Sequence, residues 1–344
     1  MSVPTRPTIL ISTYLEPEHV ERIRSAAPGD VLYEPELVPV PRYGNDHHGS
    51  NPTLSPEQDA QWSSMLAAAD IAFDFDWRAP AELLTTAPKL RWLQATSAGI
   101  GGFLQRHRLD EGDVVFTTAA GTHADPLAEF AVTGALHFVK DVPGLLRSQR
   151  EHHWQRHVSG QLRGRRATVV GIGSIGRRVA ELYTLLGLEV TAVGRPGGKY
   201  EVPSGVSVTS TDDLDTVLPT TDVLVLACPL TDETTDLINA ARVGLLPAGA
   251  IVVNIARGQV IDETALTAAL SSGHLAGAAL DVFAVEPLPE ASPLWDLPSV
   301  LVSPHSASTA ANENAVLVEL FLDNLQRYLA GQPLRNVYRS DRGY

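Results

Sequence analysis

One twelve-residue stretch, VVGIGSIGRRVA at residues 169–180, constrains this chain more than any other. It runs from an apolar β-like segment through Gly171, Gly173 and Gly176 into an apolar-periodic helical segment. In that setting each glycine has a physical reason: a tight turn, close backbone approach to a pyrophosphate, and close helix–strand packing. The helix N-terminus is then aimed at negative charge. Ser174 and Ile175, on the first helical turn, complete the loop expected to cradle a dinucleotide. An ordinary strand-to-helix turn is the bland alternative, since glycine triplets occur in many turns. The nearby "GRPGGKY" is not a P-loop, lacking both the spacing and a Ser or Thr after Lys199.

The rest of the chain agrees with that turn. From Arg166 onwards, the runs "ATVVGI", "EVTAV", "VSVT", "DVLVLA", "AIVVNI", "LAGAAL" and "SVLVS" read as strands, several apolar on both faces as buried parallel strands are. Helical patterns lie between most of them, such as residues 174–186 and 262–271. The first third shows the same alternation, with strands at "TILIS", "DIAFDF" and "LRWLQA" and a helix in "EPEHVERIRSAA". Residues 35–56 are too rich in Pro, Gly and Asn for a regular element. A long helical pattern spans about 125–150 with an interruption at Pro143–Gly144, and a last amphipathic helix spans about 309–330 before Gly331. Strands alternating with helices predict an α/β fold of doubly wound parallel sheets. At 344 residues the chain is long enough for two domains.

Bulk properties exclude several classes. The formal net charge of -14 argues against a nucleic-acid partner, which needs basic surface. No apolar run is long enough to span a bilayer, and the N-terminus lacks a signal-peptide pattern. The single cysteine, Cys228, cannot form an internal disulfide. A cytoplasmic location is the expectation.

Two groups of residues carry chemistry. Eighteen positions after Gly176, the second strand ends in Gly194–Arg195. An acidic residue there would accept hydrogen bonds from the adenosine ribose hydroxyls and repel a 2′-phosphate. Gly194 removes that repulsion and Arg195 offers planar donors for phosphate, with Lys199 nearby. The expected cofactor is therefore NADP(H), with NAD(H) still possible; a solvated loop Arg195 is the alternative. Cys228 and Pro229, and Ala256, follow other strands and are expected beside the cofactor. Cys228 lacks the His/Asn constellation of a nucleophile.

The second group is Arg257 in "NIARGQVID", Glu286 in "LDVFAVEPLP" and His305 in "LVSPHSAS", each just past an apolar strand. Ligands of parallel α/β sheets bind at the carboxyl ends of strands, so the three should converge. Their chemistry suits reduction of a 2-oxo acid. An imidazolium can protonate the oxyanion that hydride delivery leaves, a carboxylate can orient it, and an arginine can grip the substrate carboxylate. Taken singly, each has a bland reading as a surface or strand-end residue.

These segments resemble the D-isomer-specific 2-hydroxyacid dehydrogenases, in particular the glyoxylate/hydroxypyruvate reductase branch. The resemblance runs through "GTHADPLAEFAV", "LRGRRATVVGIGSIGRRVA", "CPLTDETTDLIN", "LLPAGAIVVNIARGQVIDETALTAAL" and "GHLAGAALDVFAVEPLPEASPLWDLPSVLVSPH". It implies that Arg257 binds substrate, that Glu286 pairs with His305, and that His305 is the acid/base. Asp281 in "ALDVF" would contact the nicotinamide carboxamide. It further implies a Rossmann nucleotide domain at 119–308 inserted into a flavodoxin-like substrate domain at 1–118 plus 309–344. The substrate carboxylate would be held by backbone amides at Ala98 and Gly99 in "QATSAGIGGF", where Gly101 replaces a common Asp. Asp76 or Trp77 in "FDFDW" would shape the pocket, and "SQREHHWQRHVSGQL" resembles the family's dimer arm, implying a homodimer. With the chain ending at Tyr344, no regulatory domain of the long phosphoglycerate dehydrogenases is expected.

The alternatives are a phosphoglycerate dehydrogenase-like oxidation with NAD, a non-enzymatic dinucleotide-sensing partner-binding protein, and, more weakly, formate or phosphite oxidation. The histidines His47–His48 and His152, His153 and His157 carry no zinc-ligand signature and read as solvated surface rather than a metal site.

Overall fold

The computed structural model describes residues 5–47 and 49–340, so His48 lies outside the described residues. The chain divides into two compact units, one built from residues up to Thr122 and from Thr309 on, the other His123–Ser308. The division thus falls four residues beyond the 118/119 boundary read from sequence.

The first unit contains β1 (Ile9–Ile11), α1 (Pro17–Ala26), β2 (Val31–Leu32), α2 (Pro56–Ala68), β3 (Ile71–Phe73), α3 (Leu83–Thr86), β4 (Trp92–Gln94), α4 (Gly101–Arg106) and β5 (Val115–Thr117). The strands are all parallel, in the order β2-β1-β3-β4-β5, the flavodoxin-like winding. Alternate residues of one strand feed opposite cores. Leu10, Ala72 and Leu93 pack with Trp62 and Leu66 of α2, whereas Ile9, Ile11 and Phe73 pack with Val20 and Ile23 of α1.

The second unit contains α5 (Ala124–Val139), α6 (Val142–Arg150), β6 (Arg166–Val170), α7 (Ser174–Leu185), β7 (Glu189–Gly194), β8 (Ser207–Ser210), α8 (Leu214–Val217), β9 (Val223–Leu226), α9 (Ala240–Leu245), β10 (Ile251–Asn254), α10 (Glu263–Ser271), β11 (Gly277–Leu280) and β12 (Val300–Val302). Its seven parallel strands run β12-β11-β10-β9-β6-β7-β8. That is the Rossmann winding with one added strand, and its direction of progression reverses between β6 and β9. The seven apolar runs of the sequence supply the seven strands. Val223 and Val225 face the core under α5 and α7, while Leu224 and Leu226 face the opposite core. The chain then returns to the first unit as α11 (Glu313–Leu329). There Phe321 meets Phe73 edge-on at 5.3 Å and stacks on Trp92 at 5.1 Å.

Local chemistry explains where the elements start and where sequence reading slipped. The capping box of α2 is made by Ser55, which accepts the Gln58 N–H at 3.3 Å while Gln58 Oε1 accepts the Ser55 N–H at 2.9 Å. The preceding residues are less irregular than their composition suggests, since Val40 and Ser50 form an antiparallel bridge. The long helical pattern breaks at Asp141, in the left-handed region with φ of 50°, not at Pro143–Gly144. Asp141 caps α6 by accepting the Gly144 N–H at 3.1 Å, and Pro143 sits in the first turn, where its missing N–H costs nothing. His47 is not solvated: its ring is half-buried and shares a 3.1 Å hydrogen bond with the buried Thr13 hydroxyl.

Candidate active site

The glycine turn after β6 has the geometry its sequence demands. Gly171 has φ of +106°, and a Cβ there would lie 2.6 Å from the Ala227 carbonyl oxygen at the end of β9. A Cβ on Gly176 would collide with the Gly171 carbonyl oxygen, so only glycine lets α7 sit this close to the turn. A Cβ on Gly173, by contrast, meets nothing within 4 Å, leaving the side of the turn open. Ser174 and Ile175 begin α7 immediately after it. An open turn ending in a helix N-terminus is a cradle that fits a pyrophosphate.

Around it, the other sequence candidates of this unit cluster at the carboxyl edge of the sheet. Gly194 is buried at the end of β7 and Arg195 is exposed just beyond. Cys228 is buried after β9, with Pro229 exposed beside it. Burial pushes the Cys228 thiol up to about 11 against a smaller opposing backbone hydrogen bond, so it is no thiolate nucleophile near neutral pH.

Arg257, Glu286 and His305 follow β10, β11 and β12 respectively. The buried Asn254 shapes the first loop: its Oδ1 accepts the Ala256 N–H and its Nδ2 donates to the Arg257 carbonyl, both at 3.0 Å. The Arg257 guanidinium donates to the Ala256 carbonyl at 2.6 Å. Gly258 then packs flush on the Phe283–Ala284 peptide, where any Cβ would collide, and Gln259 Nε2 donates to the Ala284 carbonyl at 2.9 Å. The loops bearing Arg257 and Glu286 are therefore locked together.

Glu286 is fixed at both oxygens. Oε1 accepts the Phe283 N–H at 3.0 Å, and Oε2 lies 2.8 Å from His305 Nδ1. Burial alone raises this carboxyl. The hydrogen bonds from His305 and Phe283, together with the charges of His305 and Arg257, outweigh that and hold it below the usual carboxylate value. An ionised Glu286 can only accept, so Nδ1 carries its hydrogen and Nε2 is the ring nitrogen left to exchange a proton.

His305 has a left-handed backbone, φ of 54°, which a β-substituted residue adopts only when its surroundings impose it. Asp281 imposes it. Its backbone carbonyl accepts the His305 N–H at 2.9 Å. Its buried Oδ1 accepts from Ser303 Oγ at 2.6 Å and from the Ser306 and Ala307 N–H groups, both at 2.9 Å. Sequence reading missed this anchoring function of Asp281, and missed Asn254, Ser303 and Gly258 altogether. The only signal was a polar residue or glycine ending each apolar run.

Other candidates lie elsewhere. Ala98 and Gly99 belong to the first unit, in the turn between β4 and α4. Asp76 in that unit is buried and committed to structure, accepting from Trp62 Nε1 at 3.0 Å and the Arg78 N–H at 3.1 Å. Trp77 donates to the Leu37 carbonyl at 3.1 Å. His152, His153 and His157 are exposed, and among the described residues no group of three or more His, Cys, Asp or Glu side chains is placed to hold a metal. No helix of the described residues is long and apolar enough to cross a membrane.

Comparison with known proteins decides the family. A profile for the D-isomer specific 2-hydroxyacid dehydrogenase, NAD binding domain, matches residues 132–307. The chain belongs to the D-isomer specific 2-hydroxyacid dehydrogenases. A glyoxylate/hydroxypyruvate reductase of Arabidopsis thaliana is 30% identical over 84% of this chain and 89% of its own. A D-3-phosphoglycerate dehydrogenase of Mycobacterium tuberculosis is 35% identical over 73% of this chain but only 47% of its own, so this chain spans about half of that relative. Among solved structures, a family member from Xanthobacter autotrophicus in complex with NADPH and MES superposes with a TM-score of 0.75 at 30% identity, covering 98% of this chain and 100% of that one. As a 2-hydroxyacid dehydrogenase the protein is an oxidoreductase of small 2-hydroxy and 2-oxo acids that uses a nicotinamide dinucleotide, and the glycine cradle fits that cofactor.

Proposed function

We propose that this dehydrogenase reduces a small 2-oxo acid of the glyoxylate/hydroxypyruvate type to the D-2-hydroxy acid, reversibly, with NADPH preferred over NADH. The observation that carries the cofactor preference is the end of β7, where a buried Gly194 and an exposed Arg195 stand in place of an acidic residue. A carboxylate there repels a 2′-phosphate, whereas a guanidinium binds it with planar, charge-assisted donors. The Xanthobacter relative was solved with NADPH, which supports the same reading.

In this reading His123–Ser308 is the nucleotide domain. Gly171, Gly173, Ser174, Ile175 and Gly176 hold the pyrophosphate, and Cys228, Pro229, Ala256 and Asp281 lie along the remainder of the dinucleotide. The bound dinucleotide supplies the hydride. Arg257 grips the substrate carboxylate and polarises the neighbouring carbonyl. His305 Nε2 donates the proton to the oxygen as its charge develops, and takes it back in the oxidative direction. Glu286 keeps Nδ1 protonated and the ring in place. The first unit is the substrate domain, in which the Ala98 and Gly99 amides are donors for a carboxylate.

A homodimer completes the proposal. The segment after α6 exposes Trp154 at 95% and Val158 at 98%, and α6 adds Leu145 and Leu146. Aromatic and aliphatic side chains this exposed on an arm suit burial against a second copy. A cytoplasmic location fits the lone, buried cysteine.

The test is initial rates with glyoxylate, hydroxypyruvate, an aryl pyruvate and 3-phosphohydroxypyruvate, each with NADPH and NADH. High kcat/KM for the two small acids with NADPH is expected. Preference for the phosphorylated acid with NADH would favour the phosphoglycerate dehydrogenase-like reading instead, which the Mycobacterium relative supports.

A further inference from the structure

The loop after β7 contains a side chain that the reaction scheme above leaves unused. Tyr200 is half-buried and folds back across the turn that follows Gly194. Its hydroxyl accepts the Arg195 N–H at 2.8 Å. Its ring covers two glycines at once. A Cβ on Gly194 would lie 2.6 Å from Tyr200 Cζ and 2.9 Å from its hydroxyl oxygen, and a Cβ on Gly198 would lie 2.5 Å from the same Cζ. Between them Gly197 has φ of +70°, and the Gly198 N–H donates to the Arg195 carbonyl at 3.1 Å, closing the turn.

From this packing we infer that Tyr200 is a positioning residue for cofactor choice, its ring occupying the space an acidic side chain at position 194 needs while its hydroxyl fixes the backbone that presents Arg195. The inference rests on the NADPH reading above. An aromatic ring can swing aside for a new side chain, but here it can do so only by releasing the Arg195 N–H. Exclusion of the carboxylate and placement of the guanidinium are thus one event. A single Gly194→Asp change cannot simply install NADH selectivity, because the new carboxylate displaces the ring and the turn with it. Removing the ring at the same time makes room.

The experiment compares wild type, Arg195→Ala, Tyr200→Phe, Tyr200→Ala, Gly194→Asp and the Gly194→Asp/Tyr200→Ala double variant. Inhibition constants are measured for ADP-ribose and for its 2′-phosphorylated form, together with kcat and KM for NADPH and NADH. Tyr200→Phe keeps the ring but loses the acceptor. It should weaken the 2′-phosphorylated analogue about two- to tenfold, the range of one neutral hydrogen bond, with ADP-ribose binding and kcat unchanged. Tyr200→Ala should weaken it further. Gly194→Asp should impair binding of both analogues, and the double variant should recover ADP-ribose binding and NADH turnover.

A merely structural tyrosine would weaken both analogues together. That result, or a Gly194→Asp variant that takes NADH as well as the double variant does, overturns the inference. If Arg195→Ala loses discrimination while the tyrosine variants keep it, only the assignment to Tyr200 fails. If wild type and Arg195→Ala bind both analogues alike, the NADPH reading fails first and the inference with it.

Discussion

At the scale of single residues, the proposed chemistry rests on a few ionisable groups and on polar groups that hold them still. With Glu286 Oε2 fixed on Nδ1, His305 has one nitrogen to offer. Replacing it with Gln should lower kcat by about 10²–10⁴-fold, the usual worth of general acid catalysis, while the dissociation constant for the dinucleotide measured by fluorescence stays near wild type. Glu286 has a pH signature of its own. Its folded-state pKa lies below the ordinary 4.5, so the stability it confers is present above that value and is lost as pH falls through the lower, folded-state one. The difference in melting temperature between wild type and Glu286→Gln should therefore narrow in strongly acidic buffer, as Glu286 takes up its proton; a difference that persists unchanged there would point to another group. Arg257, Glu286 and His305 were legible in the sequence because each follows an apolar run. Asn254, Ser303 and Tyr200 were not. Asn254 and Tyr200 act through hydrogen bonds to the backbone, Tyr200 also through packing on glycine, and Ser303 through a hydrogen bond to the Asp281 carboxylate, none of which leaves a periodic trace. His47 was misread for the opposite reason: polar neighbours in sequence hid its contact with Thr13, far away along the chain.

At the scale of elements, periodicity did most of the work. Most of the seven strands of the nucleotide-binding unit are apolar on both faces and bounded by turn residues, so their existence could be read directly, whereas β8 is polar and partly exposed. In the first unit β2 is two residues long and half-buried, and β5 begins with an exposed Val115, too little pattern to stand out. The box that starts α2 was concealed inside a proline-rich run. The most exacting element junction is β6 to α7. Gly176→Ala should push α7 away from the Gly171 carbonyl, lower the melting temperature and abolish dinucleotide binding. Gly173→Ala, whose Cβ meets nothing within the protein, should leave the melting temperature unchanged and weaken only dinucleotide binding. Calorimetry and titration on the pair separate the two effects.

At the scale of the whole molecule, the first unit is made from both ends of the chain and is closed by α11, whose Phe321 fills the space between Phe73 and Trp92. Phe321→Ala should cost about 3–5 kcal/mol, as large aromatic truncations in cores do. Deleting residues 309–344 should strip hydrogen-exchange protection from β1, β3 and β4 while β9 and β10 keep theirs, since the second unit has cores of its own. This arrangement also has a consequence for biosynthesis. A ribosome adding about 5–20 residues per second needs roughly 10–40 s to pass from the last strand of the first sheet to the helix that seals it. Throughout that interval the nascent sheet presents Trp92 and Phe73 uncovered, so the earliest-made part of the protein is the last to be finished, and the part most in need of a chaperone's attention is the one that emerged first.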